Sequence, residues 1–180
     1  MVVFDTSVLL LALDPSTKPP LDPSTGAPLA KARERIEHLI DTLSSDKQTI
    51  IIPTPVLSEI MVYAGTAGPK WLQFFNSASV FRIVSFDQKA AIEAALSIRD
   101  SLDRGGIKID ASDSSVSRGK VKFDRQIVAI AKAEGANAIY SDDSDILKYA
   151  KSAGLRAYGS ADLDLPPEDP QIPMDFKDEE

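Results

Sequence analysis

The chain has 180 residues, which is enough for one α/β domain that buries roughly two thirds of its unfolded surface and too short for two. It has no cysteine and a single histidine, His38, which excludes disulfides, thiolate chemistry and a typical zinc site. No apolar run approaches the ~18 residues that a membrane helix needs, so we expect no membrane span.

The acidic charge of the chain is concentrated at its C-terminal end. A net charge of −7 argues at first against a polyanionic partner such as RNA. Eight of the 27 acids and one of the 20 bases lie in residues 160–180, so the rest of the chain holds 19 of each. We therefore expect a neutral folded domain at residues 1–159 and a flexible, acidic, proline-containing tail at 160–180. The tail could be a disordered extension without a function, an electrostatic mimic that lies over the basic loop, or a segment that a partner binds.

In chain order, the first predicted element is a strand over residues 1–5. No room remains ahead of it for a signal segment, so we expect a cytoplasmic protein. Five prolines between residues 14 and 28 predict a long surface excursion just after this strand. Thr54 is the predicted N-cap of a later helix. The elements predicted between the excursion and that cap are a helix at about 30–43 and a strand at 49–52.

Strands and helices continue to alternate in the second half of the chain. The patterns predict a short helix near 70–76, a strand at 80–84, a helix at about 88–102, a polar loop at 103–122, a helix at about 123–134, a strand at 138–140, a helix near 144–152 and a strand at 155–158. This alternation predicts an α/β domain with a parallel sheet covered by helices on both faces. In such sheets ligands bind at the carboxyl ends of the strands, beside a topological switch point.

Four acids stand at predicted strand ends or on the apolar faces of helices. Asp5 and Asp143 follow strands, whereas Glu59 and Asp124 lie on apolar helix stripes and should point inward. Any one of them could simply cap a helix or pair with a nearby base. Several carboxylates converging near a core would be costly without compensation, so the set predicts a bound cation.

The available donors restrict which cation this is. Carboxylate oxygens completed by water suit Mg²⁺ first and Mn²⁺ second, whereas zinc would want histidine or cysteine. Such a site favours hydrolysis of phosphodiester bonds. His38, on a predicted polar helix face, offers no covalent alternative.

Four short motifs occur in order within residues 1–158. They are Asp5-Thr6-Ser7, Ser58-Glu59-Ile60, Phe123-Asp124-Arg125-Gln126-Ile127 and Ile139-Tyr140-Ser141-Asp142-Asp143-Ser144-Asp145. This ordered set resembles the PIN-domain nucleases, whose numerous members include the VapC-type toxins. The resemblance implies a PIN-like three-layer domain with a central parallel sheet flanked by helices, and a metal-dependent endoribonuclease. The excursion, the long loop and the tail make the chain longer than compact toxins, which also allows an RNA-processing nuclease outside toxin–antitoxin systems.

The resemblance also implies roles for individual residues. The predicted metal-binding and catalytic acids are Asp5, Glu59, Asp124 and Asp143, with Asp145 as an outer ligand and supporting hydroxyls at Ser7 and Ser141. Asp142 is the alternative fourth acid. The implied partners are an RNA substrate and an antitoxin protein.

Bases and aromatics suggest further contacts. Five basic residues gather on the loop and helix that carry Asp124: Lys108, Arg118, Lys120, Lys122 and Arg125. We predict that this cluster contacts RNA phosphates, with Lys120, Lys122 and Arg125 as the main candidates. The apolar segment that holds Trp71, Phe74 and Phe75 is either core or the surface of a homodimer.

Three other kinds of protein would require different residues. A catalytically silent PIN-like scaffold would be expected to lose some of the acids. A receiver-type phosphoacceptor would need an aspartate where strand 49–52 ends in Pro53-Thr54. A phosphatase of the haloacid dehalogenase type would need an aspartate at Ser7.

Overall fold

The computed structural model describes residues 1–103 and 115–167 and contains a five-stranded sheet. Its strands are β1 (Val2–Phe4), β2 (Ile50–Pro53), β3 (Phe81–Val84), β4 (Ala138–Tyr140) and β5 (Arg156–Tyr158). The helices are α1 (Thr6–Leu13), α2 (Ala32–Ser45), α3 (Thr54–Ala64), α4 (Gly68–Ser77), α5 (Gln88–Asp103), α6 (Ser115–Ala133) and α7 (Ser144–Ser152), with 3-10 turns at Gly65–Ala67 and Ser160–Asp162.

Helices cover both faces of this sheet. Every residue of β1 and β2 is buried, with no alternation between buried and exposed positions. Because neighbouring side chains on a strand point to opposite faces, continuous burial means that both faces are covered. The predicted three-layer α/β architecture is therefore confirmed.

The strand order places a switch point in the middle of the sheet. All strand pairs are parallel and the order is β3-β2-β1-β4-β5. From β1 the chain moves outward through β2 to β3, then returns to the other side of β1 with β4. The crevice of such a sheet lies where the carboxyl ends of β1 and β4 diverge. The backbone N–H of Asp5 donates to the carbonyl of Tyr140 there, at 3.0 Å.

Three local predictions were wrong. A helix, α1, separates the first strand from the excursion, because the apolar run continues through Leu13 and its buried side chains favour a helix over a loop. The predicted loop at 103–122 is interrupted by α6, which begins at Ser115. Thr54 is the first residue of α3, not its cap, and its hydroxyl accepts a hydrogen bond from the backbone N–H of Phe86 at 3.3 Å.

The aromatic segment of α4 is divided between core and surface. Phe75 is buried, Trp71 is half-buried against the core, and Phe74 is exposed while its ring contacts Phe75 and Phe81. Within the described ranges, none of the helices has both the length and the apolarity for crossing a membrane. The acidic tail from residue 168 onward lies outside the described residues.

Candidate active site

A cavity of about 520 Å³ opens at the carboxyl ends of β1 and β4. All four predicted acids line it, although they come from four different parts of the chain. The sheet, α3, α6 and the start of α7 thus bring Asp5, Glu59, Asp124 and Asp143 to one crevice. The other lining residues are Thr6, Ser7, Leu10, Val62, Tyr63, Ile127 and Ile146.

Asp5 is the most enclosed of these acids. It follows β1 directly and is the N-cap of α1, with 4% of its surface exposed. Its Oδ2 accepts hydrogen bonds from Ser141 Oγ at 2.8 Å, from Ser7 Oγ at 3.0 Å and from the Ser7 backbone N–H at 3.5 Å. Oδ1 takes part in none of these bonds.

Burial sets the protonation behaviour of Asp5. Desolvation raises the pKa of its carboxyl above the ordinary value of 3.8, although hydrogen bonds from Ser141, Thr6 and Ser7 oppose the shift. In the described ranges, its partners are neutral donors and no cationic side chain pairs with it. A cation in the cavity would supply the missing compensation.

Glu59 and Asp124 approach from the helices. Glu59 is half-buried on α3, and its Oε2 accepts a hydrogen bond from Thr6 Oγ1 at 2.5 Å. Asp124 lies on α6 with 9% of its surface exposed, beside the buried Ile127 and Val128. The inward orientation that was predicted for Asp124 agrees with this burial, and Glu59 lies at the cavity wall.

Two serine hydroxyls connect the ends of β1 and β4. The backbone N–H of Asp143 donates to Ser141 Oγ at 3.0 Å, and the N–H of Asp142 donates to Ser7 Oγ at 2.9 Å. Because the same hydroxyls donate to Asp5, they orient its carboxylate and hold the β4–α7 loop against it. Ser7 and Ser141 thus hold Asp5 in place, and their role in supporting a metal ligand stays a prediction.

The structure distinguishes the acids that follow β4. Asp143 lines the cavity and also caps α7, where its Oδ1 accepts from the Asp145 N–H at 2.8 Å. The carboxylate of Asp142 instead accepts from the N–H and hydroxyl of Ser160, at 2.7 and 2.6 Å. Asp145 is exposed and is not among the residues that line the cavity.

The predicted RNA-contacting bases are in different environments. Lys122 is exposed and is the first residue of α6 whose side chain the structure describes. Arg125 is half-buried, with its guanidinium 5.9 Å from the centroid of the Tyr149 ring. The remaining predicted bases have side chains outside the described part of the structure: Lys108, Arg118 and Lys120.

The donor set fits a hard cation in its chemistry. It consists of carboxylates and hydroxyls, and it includes a buried carboxylate that has no cationic neighbour among the residues the structure describes. Among residues 1–103 and 115–167, however, no three Asp, Glu, His or Cys side chains are grouped closely enough to hold a metal ion. The acids share one cavity wall without forming a complete coordination shell.

Sequence patterns did not identify two features of this site. One is the Thr6 hydroxyl, which fixes Glu59 from a position directly after Asp5. The other is an apolar wall, to which the exposed Val62 and Tyr63 contribute. Val62 and Tyr63 follow Glu59 by three and four residues, which places all three on one face of the helix. This spacing does not show that the two apolar side chains remain exposed beside the acids.

A second cavity, of about 360 Å³, lies between α2 and the strands β1, β4 and β5. Its lining includes the stacked rings of Tyr140 and Tyr158, with centroids 5.5 Å apart, and both basic and acidic side chains. None of the four predicted acids lines it. We therefore place the candidate active site at the first cavity.

The fold resembles chains of two solved VapBC structures. A chain of VapBC2 from Rickettsia felis, crystallised with a DNA fragment from their promoter, matches with a TM-score of 0.57 and 18% identity over 88% of this chain and 98% of that chain. A chain of DNA-bound VapBC from Salmonella typhimurium matches with a TM-score of 0.52 and 13% identity, over 88% of this chain and 97% of that chain. No family model and no curated protein matches. The similarity confirms the predicted fold, and this chain is a PIN-like α/β domain.

Proposed function

We propose that this protein is a metal-dependent endoribonuclease that hydrolyses RNA phosphodiester bonds. The observation that carries the proposal is the convergence of Asp5, Glu59, Asp124 and Asp143 on one cavity at the switch point of the sheet. The acids would bind Mg²⁺ or Mn²⁺. When bound, such an ion neutralises the phosphodiester and lowers the pKa of a water that can attack phosphorus.

Each side chain has a definite task in this proposal. Asp5 is oriented through Oδ2 by the two serine hydroxyls, and its carboxylate lines the cavity as a metal ligand. Glu59 is oriented by Thr6, and Asp143 by its bond to the start of α7. In this proposal, metal binding draws the half-buried carboxylates of Glu59 and Asp143 toward Asp5 from these positions on the cavity wall. Asp145 lies further out, as an outer ligand through water in this proposal.

The proposal is tested by incubating the purified protein with single-stranded RNA in Mg²⁺, in Mn²⁺ and in EDTA. We expect cleavage with either metal and none in EDTA. Asp5→Asn and Asp124→Asn should be inactive, whereas Asp41→Asn, an exposed acid on α2, should keep wild-type activity as a matched control. Cleavage that persists in EDTA or in both site variants would refute the assignment.

A catalytically silent RNA-binding scaffold is the second candidate. The absence of a three-acid group within the described residues favours it. Two measurements separate these functions. A scaffold would bind RNA without cleaving it. In calorimetry, the nuclease should bind Mn²⁺ and lose that binding in Asp5→Asn, whereas the scaffold should show no Mn²⁺ binding that depends on Asp5.

The partners of the nuclease form part of the same proposal. The resemblance to VapBC chains suggests a toxin with an antitoxin protein, and the exposed apolar side chains of α4 suggest a homodimer. A nuclease that processes RNA outside toxin–antitoxin systems remains the alternative. Induced expression alone and together with the product of an adjacent small gene would separate them, since only a toxin is neutralised by that product. Gel filtration tests the dimer, and we expect a cytoplasmic location.

A further inference from the structure

One side of the candidate site is apolar. The acids occupy part of the cavity wall, and the remainder is formed by Leu10, Val62, Tyr63, Ile127 and Ile146. Ile127 and Ile146 are core residues, but Val62 and Tyr63 are 79% and 69% exposed. Apolar groups that remain in water at the edge of a polar cleft suggest contact with a ligand.

The position of Tyr63 on α3 relates it directly to an acid. Glu59 and Tyr63 are four residues apart, so their side chains emerge on the same helix face, with Cβ atoms about 5–6 Å from each other. The hydrogen bond from Thr6 fixes Glu59, while Tyr63 has neither a hydrogen bond nor a ring contact to another described residue. An aromatic face is therefore open to a ligand beside the acidic end of the cavity.

We propose that Tyr63 is a stacking platform for an unpaired base of the RNA next to the phosphate at the acids. This inference rests on the proposed function and deepens it, because it selects single-stranded RNA as the substrate class. A base inside a duplex is already stacked on both of its faces and cannot stack on a side chain, whereas an unpaired base can. Phosphate and base belong to one nucleotide, and the cavity presents an acidic, cation-binding part and an aromatic part side by side.

The test measures binding separately from cleavage. A fluorescent single-stranded RNA and a blunt-ended RNA duplex of the same length are titrated, in Mg²⁺, into Asp5→Asn protein and into the same protein with Tyr63→Ala or Tyr63→Phe. Loss of one stacked base should weaken single-strand binding about 5- to 100-fold in Tyr63→Ala, which is the range of base–aromatic stacking energies. Tyr63→Phe keeps the ring and should bind within about twofold of its parent. Ile92→Ala, which removes an exposed apolar side chain of α5 that does not line the cavity, is the control.

A second measurement locates the contact. A single abasic nucleotide is moved along the RNA, and we expect one position to weaken binding in the protein with Tyr63 and no position to do so in Tyr63→Ala. Thermal melting of each variant checks folding, and Tyr63→Leu repeats the test should Tyr63→Ala melt early.

The outcomes separate the two proposals. Unchanged single-strand affinity in Tyr63→Ala, equal affinity for the duplex, or no RNA binding at all would overturn the role of Tyr63. A change of Tyr63→Ala in gel-filtration mass without loss of RNA affinity would overturn it too, in favour of an interface with a second copy. Selective loss of single-strand binding in a protein that never cleaves RNA would support Tyr63 and refute the nuclease.

Discussion

At the residue scale, the environment of Asp5 has a measurable consequence for stability. Burial raises the pKa of its carboxyl above 3.8, so the folded protein keeps this proton to a higher pH than the unfolded chain does. The resulting stabilisation is complete below the unfolded pKa and is lost as pH rises through the folded pKa. At neutral pH without metal, the ionised carboxylate therefore lowers stability.

Asp5→Asn should raise the melting temperature of the metal-free protein at pH 7 while it abolishes RNA cleavage. The amide cannot ionise, so it avoids the cost of a buried charge, and its oxygen can still accept from Ser7 and Ser141. Differential scanning calorimetry from pH 4 to 8 measures this. The gap between variant and wild type should widen as pH rises, then narrow when Mg²⁺ is added. An Asn variant that melts lower at every pH would contradict this account of Asp5.

Ser141→Ala should move the acidic limb of the pH–activity profile to higher pH. Ser141 is fully buried, and of the hydrogen bonds to Asp5 the one that it donates lowers the pKa of the carboxyl most. Without it the carboxylate ionises later, and the Asp143 N–H also loses its acceptor, which costs about 1–3 kcal/mol of stability. Ser144 provides the control, because it is an exposed serine at the start of α7, close to Ser141 in the chain. Ser144→Ala should leave the profile unchanged, and an unmoved profile in Ser141→Ala would disprove the role of its hydroxyl.

At the element scale, the sequence predicted the sheet better than its connections. The strands are short apolar runs bounded by polar residues, and their alternation with helices is sufficient for an all-parallel sheet. Helix α1 was missed because β1 and α1 form one apolar run, interrupted only by Asp5, Thr6 and Ser7, in which every side of the helix is apolar and no period stands out. The start of α6 was missed because Ser115–Lys122 is polar, whereas the periodic part begins at about Phe123.

The acids could be predicted for a similar reason, and their partners could not. Charged side chains at strand ends or on apolar stripes are conspicuous in any sequence. The bonds from Thr6 to Glu59 and from Ser160 to Asp142 join residues that are 53 and 18 positions apart, and no local pattern carries that information. The choice between Asp142 and Asp143 likewise depends on where Ser160 returns to the domain.

Two basic residues of α6 should behave differently when they are neutralised. Lys122 is exposed, so Lys122→Gln should weaken RNA binding a few-fold, reduce its salt dependence by about one phosphate contact and leave the melting temperature unchanged. Arg125 lies over Tyr149, and its Nε has no hydrogen-bond partner among the described residues. Arg125→Gln should lower the melting temperature through lost packing between α6 and α7. Salt titrations and thermal melts measure both effects. A larger loss of stability in Lys122→Gln would contradict this division.

At the scale of the whole molecule, the boundary of the domain depends on the chain just after β5. The sequence places the boundary at residue 159, which remains a prediction. Ser160 is fully buried and bonded to Asp142, and the guanidinium of Arg35 donates to the carbonyl of Leu163. These contacts connect the segment after β5 to the β4–α7 loop and therefore to the candidate site.

Two truncations should separate the folded segment from the acidic charge. Ending the chain after Pro167 removes six acids and one base, which changes the net charge from −7 to −2 and keeps Ser160 and Leu163. We expect unchanged melting and tighter RNA binding at low salt, with the difference disappearing at high salt because surface charge is screened.

Ending the chain after Gly159 should instead lower the melting temperature and the cleavage rate, because Asp142 loses its partner and the loop that carries Asp143 loosens. Equal RNA affinity of the Pro167 truncation and the full chain at low salt would leave the tail without an electrostatic role. Equal stability of both truncations would place the edge of the domain at residue 159, as the sequence predicted.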